Sequence, residues 1–263
     1  KKRDAWITNR MKILQQDYYP EHIALTLKRN GIDALIAVQA DQSELETHFL
    51  VEMSKTHDNI KGVVGWIDLQ NENIAERLDY FAQYSIIKGW RHIVQGEKDD
   101  FMYGKPFRNG LATLQTYNYT YDILIYHHQL KAVLDLVNDF PEQKFIIDHC
   151  AKPDIKEKKI DEWKVLIKAI AQNPNVYCKL SGLFTEAAWK SWSPAEFYPY
   201  LDIVFEAFGT DRLLYGSDWP VLLLSGSYVQ WKSLLEKYME NFKEEDKLKV
   251  FGDNAIQFYN LQS

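Results

Sequence analysis

The sequence has no apolar run near the roughly 20 residues that a bilayer-crossing helix needs, so no membrane span is expected. It has no basic stripe: 31 basic and 37 acidic residues are intermixed and leave a net charge of −6, which argues against a nucleic-acid partner. Two cysteines, Cys150 and Cys178, are too few for a disulfide framework or a complete thiolate metal site, and are expected to be reduced core thiols of a cytoplasmic protein. Neither GxGxxG nor GxxxxGK[ST] occurs, which removes the phosphate-cradling turn of nucleotide-binding doubly wound folds. Glycine (12) and proline (8) are sparse and form no linker, and no solenoid-length repeat is visible. Residues 1–263 are therefore expected to form one domain. No signal peptide is evident, although the opening KKRDAWITNR reads like the interior of a longer chain.

What is present is a regular alternation. Short β-rich apolar runs fall at residues 33–38 (DALIAV), 62–67 (GVVGWI), 86–90 (IIKGW), 123–126 (ILIY), 145–148 (FIID), 176–180 (VYCKL) and 213–215 (LLY). Helical periodicity separates them: Leu130, Val133, Leu134 and Val137 share a face, as do Ile160, Trp163, Ile167 and Ile170, and Tyr228, Trp231, Leu234, Leu235 and Tyr238. Ser43 with Glu46, and Ser193-Pro194 with Glu196, have the form of capping boxes, and a last helix is expected over 254–259. Repeated βα units of this kind build a parallel sheet. The expected fold is a (β/α)8 TIM-type barrel, and since seven strands are counted, the first is expected to precede Lys1.

In such barrels chemistry sits where strands end. Those positions are polar here: Gln39 and Asp41, Asp68, Arg91 and His92, His127 and His128, His149, Lys179 and Ser181, Ser217 and Asp218. Hydrolysis of an ester needs a base for water and a donor or metal for the carbonyl, and Asp218 with His149 can fill those roles. Asp218 can equally cap a turn, because SDWP is good turn chemistry, and His149 can be a core histidine bonded to a backbone carbonyl. Arg91 suits either an ion pair below the mouth or bidentate capture of a substrate oxygen. Lys179 has the same two readings. Adjacent side chains diverge, so at most one of His127 and His128 is expected to face the site. Trp66 and Trp219 are candidate apolar walls for a sugar-like ring.

Eight segments in series carry a resemblance: VQADQSELET from Val38, GVVGWIDL from Gly62, WRHIVQGE from Trp90, YDILIYHHQL from Tyr121, FIIDHCAKPDI from Phe145, NVYCKLSGLFTEA from Asn175, RLLYGSDWPV from Arg212 and FGDNAIQFY from Phe251. Together they resemble the lactonase branch of the amidohydrolase superfamily, the group that contains fuconolactone hydrolases and relatives of 2-pyrone-4,6-dicarboxylate lactonase. The resemblance implies a barrel hydrolase that opens the lactone of a sugar acid. It implies Asp218 as the group that activates water and His149 as part of the metal or carbonyl site. Arg91, His92 and Lys179 then match substrate-contacting positions. The superfamily's first strand carries an HxH pair, and no HxH occurs here, so the pair is expected upstream of Lys1 together with the missing strand. His127 and His128 depart from the proline or arginine common at that point. The resemblance leaves open whether one divalent ion, zinc first, is held by the HxH pair with Asp218 and His149, or whether Asp218 works without metal. A metal-dependent decarboxylase of an unsaturated or aromatic acid, and an inactive barrel, are the competing readings.

Overall fold

The computed structural model describes residues 6–261. A 3-10 turn at Asn9–Leu14 leads into α1 (Pro20–Arg29), and seven strands follow: β1 (Leu35–Val38), β2 (Ile60–Gly65), β3 (Ile87–His92), β4 (Thr120–Ile123), β5 (Phe145–Ile147), β6 (Val176–Leu180) and β7 (Leu213–Tyr215). Every strand pairs in parallel with its sequence neighbours, in the order β1 to β7. The crossovers are α2 (Glu44–Thr56), α3 (Ile74–Ala82), α4 (Lys105–Thr116), α5 (Leu130–Asp139), α6 (Asp161–Ile170), then the short α7 (Leu183–Glu186) and α8 (Tyr198–Phe208) before β7. After β7 come α9 (Tyr228–Tyr238), α10 (Glu244–Leu248) and α11 (Asn254–Phe258).

The sheet is curled. Ile36 and Val38 of β1, Val64 of β2, Ile146 of β5 and Leu214 of β7 meet in one apolar cluster with Phe258 and Tyr259, which flat geometry would not allow. Residues of opposite parity face the helices: Val63, Trp90, Tyr121, Ile123, Phe145, Ile147 and Cys178 are buried against the outer layer. No helix of the described residues is long and apolar enough to cross a membrane.

Six of the seven expected strands overlap the observed ones by three residues or more; the fourth was misplaced. The apolar run at 123–126 predicts pairing there, whereas the ladder runs through Thr120–Ile123. Leu124 and Ile125 are buried beyond its end. The cause is Asp122, a fully buried carboxylate in mid-strand that makes the segment look like a loop. The expected helix faces are buried at Leu130, Val133 and Val137, at Trp163, Ile167 and Ile170, and at Trp231, Leu234 and Leu235. Ser43 caps α2 by accepting from the Glu46 amide at 3.2 Å. Ser193 and Glu196 cap a single 3-10 turn, and α8 itself starts at Tyr198. Seven strands, not eight, stand in the described residues; the segment expected before Lys1 lies outside them.

Candidate active site

Beneath the mouth, one inward residue from each of four consecutive strands bears charge. Arg91 of β3 pairs with Asp148 just past β5 at 2.8 Å, and Lys179 of β6 reaches the same carboxylate at 2.8 Å and also Asp122 of β4. Tyr259, from the chain's end, donates to Asp122 at 2.9 Å. Arg91 also donates to the carbonyl of Gln39, whose amide returns a bond to the Arg91 carbonyl at 3.0 Å. Two cations and two carboxyl groups thus share a site where isolated charge would be costly, and burial together with neighbouring Asp148 raises the Asp122 carboxyl against the pull of Lys179. Burial by itself would raise the Asp148 carboxyl, but Lys179 and Arg91 outweigh it and hold it well below the usual range. For Lys179, burial works against the charged form and the two carboxylates win, so it stays protonated.

Directly after Asp148 the backbone makes a turn that L-residues avoid. His149, Cys150, Ala151 and Lys152 have φ of 54°, 52°, 58° and 49°, one left-handed turn that costs about 1–2 kcal/mol per residue. Neighbours hold it from several sides. The Trp163 indole donates to the Cys150 carbonyl at 2.8 Å, the Cys150 thiol lies 3.3 Å from the Lys179 carbonyl, and His127 Nδ1 is 3.0 Å from the Lys152 carbonyl. Both cysteines are free and buried. The turn aims the His149 ring into the mouth. Gly182, itself at φ 69°, makes room for that ring: a Cβ there would lie 2.6 Å from the His149 Cβ and 2.7 Å from Cγ.

His149 Nδ1 is 2.8 Å from Ser181 Oγ, and Nε2 is 3.5 Å from Asp218 Oδ1. Asp218 follows β7 and is also left-handed, at φ 55°. The two side chains keep 10% and 13% of their surface exposed. Burial lowers the His149 imidazole to about 3 against the pull of Asp148, so the ring is neutral in ordinary buffers. Burial raises Asp218 to about 7, with Lys152 and Arg91 pulling the other way. A neutral imidazole has one N–H. With Asp218 ionised, Nε2–H points at the carboxylate and Nδ1 accepts from the Ser181 hydroxyl.

The remaining candidates divide by depth. Arg91 and Lys179 end on buried carboxylates, one layer below the mouth. His92 is enclosed: its Nε2 is 2.8 Å from Glu97, its Nδ1 receives the Trp66 indole N–H at 3.3 Å, and its ring stacks on Phe101 at 4.7 Å. Trp66 and Trp219 are half-buried at the mouth, Trp219 edge-on to Tyr18 at 5.0 Å. Of the adjacent histidines, His127 turns to Lys152 and exposed His128 to Asp99 at 3.3 Å. Sequence reasoning missed Lys152, whose ammonium bonds Gln95 Oε1 at 2.6 Å, and Asp122. A period-two comparison of β3 to β6 would have revealed Asp122; nothing local signals the turn that places Lys152.

A catalytic zinc needs three protein ligands. Among the described residues no group of three His, Cys, Asp or Glu stands together, so His149 and Asp218 alone do not fit a complete ion site.

The Amidohydrolase family model matches residues 7–261. An L-fucono-1,5-lactonase of Burkholderia multivorans is 35% identical over 268 residues, covering 97% of this chain and 90% of that protein. An L-fucono-1,5-lactonase of Burkholderia ambifaria is 30% identical over 261 residues, with 97% and 90% covered. Among solved structures, an amidohydrolase from Burkholderia multivorans with bound zinc superposes with a TM-score of 0.94 at 34% identity, over 99% of this chain and 95% of that one. With a family model spanning nearly all its length and these relatives sharing its fold, the chain belongs to the amidohydrolase family and is a hydrolase.

Proposed function

We propose that the enzyme is a lactonase that opens the lactone ring of a neutral sugar acid derivative, with Asp218 as general base. The observation that carries this is the Asp218–His149 pair: a carboxyl poised near neutrality, partly exposed, beside a neutral imidazole fixed by Ser181. A base works best when its pKa lies near the operating pH. The lactonase relatives supply the reaction class.

Asp218 takes a proton from water as the water oxygen adds to the lactone carbonyl. The His149 Nε2–H faces the ionised Asp218 and, once Asp218 has taken the proton, is released to donate to the oxyanion that forms. Collapse of this intermediate breaks the ring C–O bond, and the leaving alkoxide recovers the proton from Asp218. The product is the open hydroxy acid, and the enzyme returns unchanged. Trp66 and Trp219 wall the ring, His92 fixes the Trp66 indole, and Arg91 and Lys179 fix Asp148, the residue before His149. His149 and Asp218 are also the donors this chain offers a divalent ion, zinc foremost, which would need an HxH pair from upstream of Lys1; no step above uses one.

Residues 1–263 act in this proposal as one cytoplasmic barrel domain, with the buried free thiols in keeping with a reducing compartment. An eighth strand would lie between β7 and β1. β1 is half-buried throughout, and α1 packs Ile23 and Leu27 against Leu35 of β1, Tyr215 of β7 and Tyr228 of α9, spanning that gap from outside.

The test is a panel of sugar lactones followed by proton release, with and without chelator. Wild type should acidify with at least one lactone, and Asp218→Asn should lower kcat by about 10²–10⁴-fold. Near-normal turnover by Asp218→Asn would sink the assignment of the base.

A further inference from the structure

At one side of the mouth stands a cation that the ester chemistry above does not use. Lys152 Nζ is 2.6 Å from Gln95 Oε1 and lies over the Tyr126 ring, 5.2 Å from its centroid. These groups come from three loops, after β3, β4 and β5, while Asp218 and Trp219 follow β7. His149, on the same left-handed turn as Lys152, faces Asp218 at 3.5 Å. An ammonium has three N–H donors, and among the described residues Gln95 is the acceptor it meets. Its backbone is held as firmly as its tip, through the left-handed turn and His127. Tyr126, 37% exposed, offers an apolar face beside the cation.

The charge around Lys152 restricts what it can bind. It lies within electrostatic reach of two carboxyl groups, Asp218 and Glu186, so a ligand bringing another carboxylate would have to compete with them for one cation. Neutral hydroxyls accept from an ammonium without bringing a further negative charge, and a ring face can rest on Tyr126.

We propose that Lys152, held by Gln95 and Tyr126, determines specificity by hydrogen-bonding ring hydroxyls of the lactone remote from its carbonyl, and that the subsite excludes lactones bearing a free carboxylate. The inference rests on the lactonase reading above. Its test compares kcat/KM for a hydroxylated aldono-1,5-lactone, for unsubstituted δ-valerolactone and for a carboxylated lactone. Lys152→Met should lose at least tenfold more on the hydroxylated lactone than on δ-valerolactone, mainly through KM. Lys152→Arg should recover part of the loss. Gln95→Leu, which removes the anchor and keeps the charge, should show the same substrate-selective loss to a smaller extent, and covers the case in which Lys152→Met does not fold. Wild type should prefer the neutral hydroxylated lactone to the carboxylated one. Equal losses on both neutral substrates, or a wild-type preference for the carboxylated lactone, would overturn the subsite and leave the lactonase assignment standing. A wild-type enzyme that opens no lactone overturns both.

Discussion

In the proposed mechanism Asp218 has to be ionised to take a proton from water, and burial lifts its pKa to about 7. Activity should then be present above that value and lost as pH falls through it. A plot of log kcat/KM against pH should therefore rise with unit slope to a bend near 7 and then level, without an acid limb from His149, which is already neutral down to about 3. A bend near the ordinary carboxyl value of about 4 would mean that Asp218 is far better solvated in turnover. Gly182 makes a different demand on the same site. Gly182→Ala combines a left-handed backbone with a Cβ driven into the His149 ring, whereas Gly209→Ala, at φ 63° and in open space, meets only the backbone penalty. Both variants should lose about 1 kcal/mol or more of stability in urea melts, but only Gly182→Ala should also lose turnover. Equal kcat for the two would show that His149 tolerates displacement.

At the scale of elements, the strands differ in how far the sequence reveals them. Apolar periodicity located six strands and the faces of α5, α6 and α9, because those residues are set by burial against the outer layer. It misplaced β4, because an inward position there holds Asp122, and a carboxylate in mid-strand makes sense only once Lys179 and Tyr259 are beside it. The same blindness applied to the site. Asp218 and His149 were visible as polar strand ends, while the depth of Arg91 and Lys179 depended on partners far along the chain. Removing one partner tests this network. Tyr259→Phe leaves Asp122 short of one donor and should cost about 1.5–3 kcal/mol of unfolding free energy with KM unchanged, as read by urea denaturation and steady-state kinetics. Full stability in that variant would mean that Lys179 alone suffices for Asp122.

For the whole molecule, the buried charge set ties stability to acidity. Asp148 is held below its ordinary pKa, so its contribution is complete above the unfolded value of about 3.9 and disappears as pH falls through the lower folded value. Asp148→Asn, which takes the carboxylate from Arg91 and leaves Lys179 with Asp122 alone, should lose about 3–5 kcal/mol at neutral pH, and the gap to wild type should shrink below pH 4. Urea midpoints measured across pH decide the matter; a gap constant down to pH 2 would contradict the ion-pair origin. The topology also has a kinetic side. Every strand pairs with its sequence neighbours, so the sheet can grow one βα unit at a time with modest loop closure. The contacts of Phe258 and Tyr259 with β1, β2 and β4 bridge most of the chain's length and can form only after those units are in place. Their energy should therefore be absent from the folding transition state, so that loosening the chain's end speeds unfolding while refolding keeps its rate.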